Sequence, residues 1–143
     1  GTGRPGDRAF AHLKVAQEED ELQTAQKIPL TTLDRLVKDH HIENLDFIKC
    51  DVEGAELMVF KGGQDVLTRY RPIILCEVED RWMRYGYTSA DVFLLLHNLR
   101  YRAFLWREEQ LSPVDEVSPH VNNYIFLPQE RVDAILLHIA NIG

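Results

Sequence analysis

Two short runs hold most of the residues able to do chemistry: Asp51-Val-Glu53-Gly54 and Glu77-Val-Glu79-Asp80. Each closes a stretch of apolar, β-forming residues, 45–52 and 73–78, that is too short for a typical helix and reads as a buried strand. In an open parallel sheet, ligands bind beyond the carboxyl ends of the strands, and neighbouring strands lie about 4.8 Å apart, so these acids converge. Carboxylates at that spacing cannot all ionise cheaply; one must hold a proton, pair with a cation or collect a metal ion. Strand alternation puts Phe47, Lys49 and Asp51 on one face and Ile48, Cys50 and Val52 on the other, which aims Lys49 toward the acids. Two readings stand side by side. In one, the cluster is an active-site base or a divalent-metal centre on Asp51, Glu77 and Glu79. In the other, Lys49 and Glu77 form a structural ion pair, while carboxylates cap the helix that begins after Gly54.

The elements that must hold these runs follow from periodicity. Thr31 with Asp34 three residues on has capping-box spacing, and Leu33, Leu36 and Val37 then give a helix ending near His40. Residues 55–61 are apolar on almost every side except Glu56, which predicts a short buried helix interrupted at Gly62-Gly63, with a second over 64–70. Arg71-Pro72 stops helical growth. Thr88 and Asp91 repeat the capping box ahead of a helix with Val92, Leu95, Leu96 and Leu99 at helical intervals. Residues 101–106 and 123–127 read as strands joined by a polar loop carrying Pro113 and Pro119, and Pro128 opens a last helix with Val132, Ile135, Leu136 and Ile139 on one face. The order predicts an α/β layer with parallel crossovers and an antiparallel element near the end. Residues 1–30 form a lead-in whose alternation around Ala11, Leu13 and Val15, with a second extended piece near Ile28, suggests a hairpin with a long polar tip; residues 31–143 form the domain proper.

Composition narrows the function. The 143 residues suit one domain, and a net charge of −7 lacks the basic footprint that nucleic-acid binding requires. Apolar stretches near residues 92–99 and 134–143 are too short to cross a bilayer, and no secretory signal opens the chain, so no membrane partner and a cytoplasmic location are expected. Cys50 and Cys76 lie in apolar runs and read as buried, reduced thiols. Gly1-Thr-Gly-Arg-Pro-Gly6 spells GxGxxG, but no strand precedes it, and no CxxC, HExxH or Walker loop occurs. His40-His41 read as a solvated helix end, and His97 as a packed or surface imidazole. Trp82, Tyr85 and Tyr87, just after the second acidic run, read either as a substrate wall or as cover for the sheet edge.

Several stretches together resemble one family. Ile28-Pro-Leu-Thr-Thr-Leu-Asp34, Leu45-Asp-Phe-Ile-Lys-Cys-Asp-Val-Glu-Gly-Ala-Glu56, Lys61-Gly62, Arg71-Pro-Ile-Ile-Leu-Cys-Glu-Val78 and Asn123-Tyr-Ile-Phe-Leu-Pro128 are similar to the FkbM-type methyltransferases. The resemblance covers about residues 28–128. It implies a Rossmann-like class I methyltransferase fold and S-adenosylmethionine-dependent methylation of a hydroxyl oxygen on a small molecule, a sugar or a secondary metabolite. It makes residues 45–52 the fourth strand of a seven-stranded sheet, residues 73–78 the fifth, and those at Tyr101 and Asn123 the last two, so the chain reads as the C-terminal half, without the N-terminal cofactor-binding strands. Asp51, Val52, Glu53 and Gly54 then match the motif lining the cofactor's methionine end and the acceptor. Asp51 or Glu53 would be the catalytic base, with Lys49 and Glu77 setting its charge. The fourth strand, mid-sheet in the complete fold, would here carry an open edge, which predicts self-association through residues 45–52. Against this stands a non-catalytic dimerising or binding module built on the same fold.

Overall fold

The computed structural model describes residues 30–79 and 86–142. The expected lead-in hairpin, the GxGxxG stretch, Trp82 and Tyr85 lie outside the described residues. In chain order the elements are α1 (Leu33–Asp39), β1 (Phe47–Cys50), α2 (Glu56–Lys61), α3 (Gln64–Tyr70), β2 (Ile73–Glu77), α4 (Ser89–Asn98), β3 (Tyr101–Arg107), β4 (Gln110–Val114), β5 (Asn123–Pro128), a 3₁₀ turn (Gln129–Arg131) and α5 (Val132–Ile142). They build a five-stranded sheet in the order β1-β2-β5-β3-β4. β1 and β2 run parallel, with Lys49 opposite Leu75 and Cys50 opposite Cys76. β5 inserts between β2 and β3 and is antiparallel to both, which is the antiparallel element the sequence order implies.

One sheet face, carrying Ile48, Cys50, Ile74, Cys76, Val78, Tyr124 and Phe126, is fully buried. Phe93 of α4 meets Tyr124 and Phe126 edge to face, with centroids 5.3 and 5.2 Å apart, a geometry worth about 0.5–1.5 kcal/mol per pair beyond area burial. The opposite face is covered at β3 and β5 by α5, where Phe104, Leu127 and Val132 form a second small core. Toward β1 it opens, and Phe47 is 45% exposed. Both cysteines are free and buried, side by side on the parallel pair.

The first helix is capped differently from the sequence expectation. Thr32, not Thr31, is the N-cap, its hydroxyl accepting from the Arg35 N–H at 3.1 Å. Asp34 turns away to the next layer, accepting from the N–H groups of Asp65 (3.3 Å) and Val66 (2.9 Å) at the start of α3. The Asp34 N–H donates in turn to the Gly62 carbonyl. A Cβ on Gly63 would stand 2.7 Å from Leu33 Cδ2, so α1 packs this closely only against a glycine. Thr32, Asp34 and Gly62-Gly63 thus form one lock between α1 and the α2–α3 junction.

β4 corrects the polar loop expected around Pro113. Its turn is Glu108-Glu109, both with positive φ (53° and 61°), and Arg107 pairs with Gln110 across it. Such two-residue turns normally advertise themselves with Asn-Gly or Gly. Pro113 is tolerated because β4 is the outermost strand, where a missing N–H leaves no ladder bond broken.

Candidate functional site

β1 and β2 close side by side, and β5, running the other way, starts at the same end of the sheet. A cleft of about 300 Å³ there is lined by Asp51, Glu53, Gly54, Glu56, Glu77, Glu79 and Asn122. Its position beyond the carboxyl ends of the parallel strands is where this architecture binds ligands. The floor is set by a tight turn. Val52 accepts from the Ala55 N–H at 3.3 Å, and the two residues between, Glu53 (φ 47°) and Gly54 (φ 96°), are both left-handed. Glycine takes that conformation freely, whereas glutamate does so at a cost. Tyr87 holds the turn: its hydroxyl donates to the Gly54 carbonyl and accepts from the Leu57 N–H at 3.3 Å, one of the first N–H groups of α2. Tyr87 is therefore a clamp beneath the site, while Trp82 and Tyr85 fall outside the described residues. On the far side, the Tyr124 hydroxyl accepts from the Ser118 N–H (2.7 Å) and donates to the Val121 carbonyl (2.9 Å), pinning the loop that carries Asn122. The Asn122 carbonyl accepts from the Val78 N–H at 2.7 Å.

The carboxylates differ in environment. Asp51 is half-buried and Glu53 exposed. Burial raises the Glu77 carboxyl above its ordinary range, and a hydrogen bond to Asp51 together with the negative charges of Asp51, Glu79 and Glu56 pushes it the same way. Glu56 is 2% exposed. One of its oxygens, Oε1, accepts from the Gly54 N–H at 3.3 Å; the other, Oε2, has no hydrogen-bond partner. Desolvation raises its pKa, only partly offset by the backbone donors.

The strand-end prediction therefore brings Asp51, Glu53, Gly54, Glu77 and Glu79 together. Val52 is buried behind the turn, on the core face. Lys49 departs from its expected surroundings: it is exposed, it does not line the cleft, and it pairs with no described carboxylate. The expected Lys49–Glu77 ion pair is replaced by the Glu77–Asp51 hydrogen bond. For the metal alternative on Asp51, Glu77 and Glu79, no group of three or more His, Cys, Asp or Glu side chains among the described residues is placed to hold a metal ion. Glu56 and Asn122 were not foreseen. The signal for Glu56 was present, as the one charged residue on an otherwise apolar helix start. Asn122 had none, because it reaches the site only through the antiparallel insertion of β5.

Comparison with known proteins identifies the family. The methyltransferase FkbM domain model matches residues 4–103, most of the chain. The chain belongs to that family. The match begins well before the residues that carry the resemblance in the sequence and ends within β3, so β4, β5 and α5 lie beyond it. No curated protein and no solved structure matches the chain. Among the described residues no helix is long and apolar enough to cross a membrane.

The cleft also tests the cofactor the family uses. Its described lining is acidic and polar, which suits the positively charged end of S-adenosylmethionine, and the unpartnered Glu56 Oε2 is a fitting counter-charge. Adenine takes apolar or aromatic walls, and none is among the described lining residues. The residues present thus fit one end of the cofactor.

Proposed function

We propose that this chain is the acceptor-side part of an S-adenosylmethionine-dependent methyltransferase that methylates a hydroxyl oxygen on a small molecule, a sugar or a secondary metabolite. The observation that carries the reading is the convergence of Asp51, Glu53 and Glu77 at the carboxyl ends of a parallel strand pair, in a chain of the FkbM family. In this reading the fold is the C-terminal half of a Rossmann-like sheet, with β1 and β2 as its fourth and fifth strands and β3 and β5 as its last two. The antiparallel insertion of β5 supports the assignment. When bound, the cofactor supplies an electrophilic methyl group on a sulfonium. Asp51, Glu53 and Gly54 would line its methionine end, while Val52 backs the turn from the core, and Asp51 would accept the proton of the acceptor hydroxyl. Glu77, donating to Asp51, fixes the orientation of that carboxylate. Glu53, exposed on the left-handed turn, is the alternative base at the mouth. Lys49 stands one residue pair back and acts only at long range. The buried free thiols suit a reducing, cytoplasmic setting.

Incubating the chain with methyl-labelled S-adenosylmethionine and a panel of hydroxyl acceptors tests the reading. Asp51→Asn is expected to lower kcat roughly 100- to 10,000-fold with an unchanged melting temperature. Full activity in that variant removes Asp51 as the base, and failure of calorimetry to detect S-adenosylmethionine or S-adenosylhomocysteine removes the cofactor assignment.

A second reading rests on β1. Among the described residues nothing pairs with its outer edge, and Phe47 is exposed beside it. We propose that two copies associate through residues 45–52. Sedimentation at high micromolar concentration should give the mass of a dimer, and Phe47→Lys should return it to a monomer; a monomeric wild type rules the edge out as an interface.

A further inference from the structure

We infer that Tyr87 is a positioning residue of the cleft: its hydroxyl holds Glu53 and Gly54 in the shape that receives the cofactor's methionine end, before any ligand arrives. The inference rests on the methyl-transfer reading and adds to it a residue that does not line the acidic cleft. A left-handed glutamate is strained and persists where its surroundings over-determine it. Two of the bonds that hold the turn are local and long, the Ala55 N–H to the Val52 carbonyl and the Gly54 N–H to Glu56 Oε1, at 3.3 Å each. The Tyr87 hydroxyl reaches the same turn from 33 residues further along the chain and joins the Gly54 carbonyl to the start of α2.

Tyr87 has a fixed base of its own. It directly precedes Thr88, whose capping box with Asp91 opens α4 with both hydrogen bonds formed, and it packs against the main core. The phenol does two things at once, donating to Gly54 and accepting from Leu57, the second residue of α2. That N–H belongs to the first helical turn, which has no intrahelical acceptor, so loss of the hydroxyl strands a carbonyl and an N–H together. Phenylalanine keeps the ring and removes both bonds. Asp51 stands before the turn, directly after β1, so Tyr87 governs how the cofactor is received while proton removal stays with Asp51.

Amide hydrogen exchange, with calorimetry using S-adenosylhomocysteine as the probe, tests the inference on the wild-type chain, Tyr87→Phe and Tyr101→Phe. In the unliganded wild type the Leu57 amide should be protected, and Tyr87→Phe should remove that protection. S-adenosylhomocysteine should bind Tyr87→Phe about tenfold more weakly than wild type, the scale of a lost hydrogen bond. Tyr101→Phe serves as the structural control. It loses one hydroxyl contact, to the Pro72 carbonyl at the other end of β2, and should lower the melting temperature without changing the affinity or the Leu57 amide. A Leu57 amide that exchanges freely in the unliganded wild type, an unchanged affinity in Tyr87→Phe, or an equal loss in Tyr101→Phe overturns the inference. Circular dichroism melting checks that Tyr87→Phe folds; if it does not, the wild-type Leu57 amide decides, since protection that appears only on adding the probe makes the turn ligand-built and overturns the inference. If the wild type does not bind the probe while Tyr87→Phe still frees the Leu57 amide, the brace on the turn stands and the methyl-transfer reading falls.

Discussion

The two ends of β2 treat charge in opposite ways. Where the strand begins, Arg71 ends α3 in a left-handed conformation (φ 52°) and every part of its guanidinium is used. Nε and Nη2 grip Glu130 at 2.9 Å each, Nη1 donates to the Leu99 carbonyl at 2.7 Å, and Nη2 donates to the Arg100 carbonyl at 2.9 Å. The guanidinium carbon lies 4.7 Å from the centroid of the Tyr101 ring, and the Tyr101 hydroxyl donates to the Pro72 carbonyl at 2.7 Å. Where the strand closes, Glu77 hydrogen-bonds to another acid and Glu56 leaves an oxygen unmatched. One end is satisfied within the chain; at the other, among the described residues, Glu56 Oε2 is left without a partner. Such unresolved charge marks a place that proteins keep for chemistry, at some expense in stability.

The contrast breaks most visibly at Arg71. Arg71→Ala removes the carbonyl contacts that finish α4, the Glu130 pair and the stacking on Tyr101, and should lower stability by about 3 kcal/mol in urea unfolding. Methyl transfer by the protein that remains folded should be little affected, since the knot lies at the opposite end of the sheet from the cleft. A comparable loss from Asp51→Asn would mean that the acidic end is also structural.

Glu77→Gln should do the reverse. Its folded-state pKa is raised, so the native state binds the extra proton and stability falls as pH rises from the unfolded value through the folded one. Glutamine donates to Asp51 without needing that proton. The variant should therefore be more stable than wild type by about 1 kcal/mol at pH 8, with the gain vanishing below about pH 4, where wild-type Glu77 is protonated in both states. A constant difference across that range would mean that Glu77 carries no shifted proton.

The same contrast explains what the sequence could reveal. Strand ends announce their acids because period-two alternation and the apolar runs fix which residues close each strand, so Asp51, Glu53 and Glu77 were legible. The capping box at Thr88 and Asp91 was legible for a similar reason, being local, and both of its hydrogen bonds form. The Arg71 knot was not, since its partners lie 28 to 59 residues away and nothing in the local pattern couples Arg-Pro to Glu130. Asp34 was misjudged because capping-box spacing is a local rule, and here a neighbouring helix offered free N–H groups. β4 was hidden by a hairpin turn made from two glutamates. Family resemblance supplied the reaction class, which no spacing of carboxylates could have distinguished from metal binding.

The smallest effect comes from the Glu130 side of the knot. Arg71 holds the Glu130 carboxyl down to about 2, chiefly by the hydrogen-bonded pair. A carboxyl with a depressed folded pKa contributes stability above its unfolded value, near 4.5, and that contribution is lost as pH falls toward 2. Half of the Glu130 side chain is in solvent, so screening discounts the shift to the range of exposed pairs, about 0.2–1 kcal/mol. Glu130→Gln should therefore cost a few tenths of a kcal/mol at pH 7, converge with wild type near pH 2, and lose most of its effect in 1 M salt. This slope is opposite in sign to that of Glu77. Acid weakens the satisfied end of the sheet while it relaxes the frustrated one, so a Glu77→Gln, Glu130→Gln double variant should show a flatter pH–stability profile than either single change.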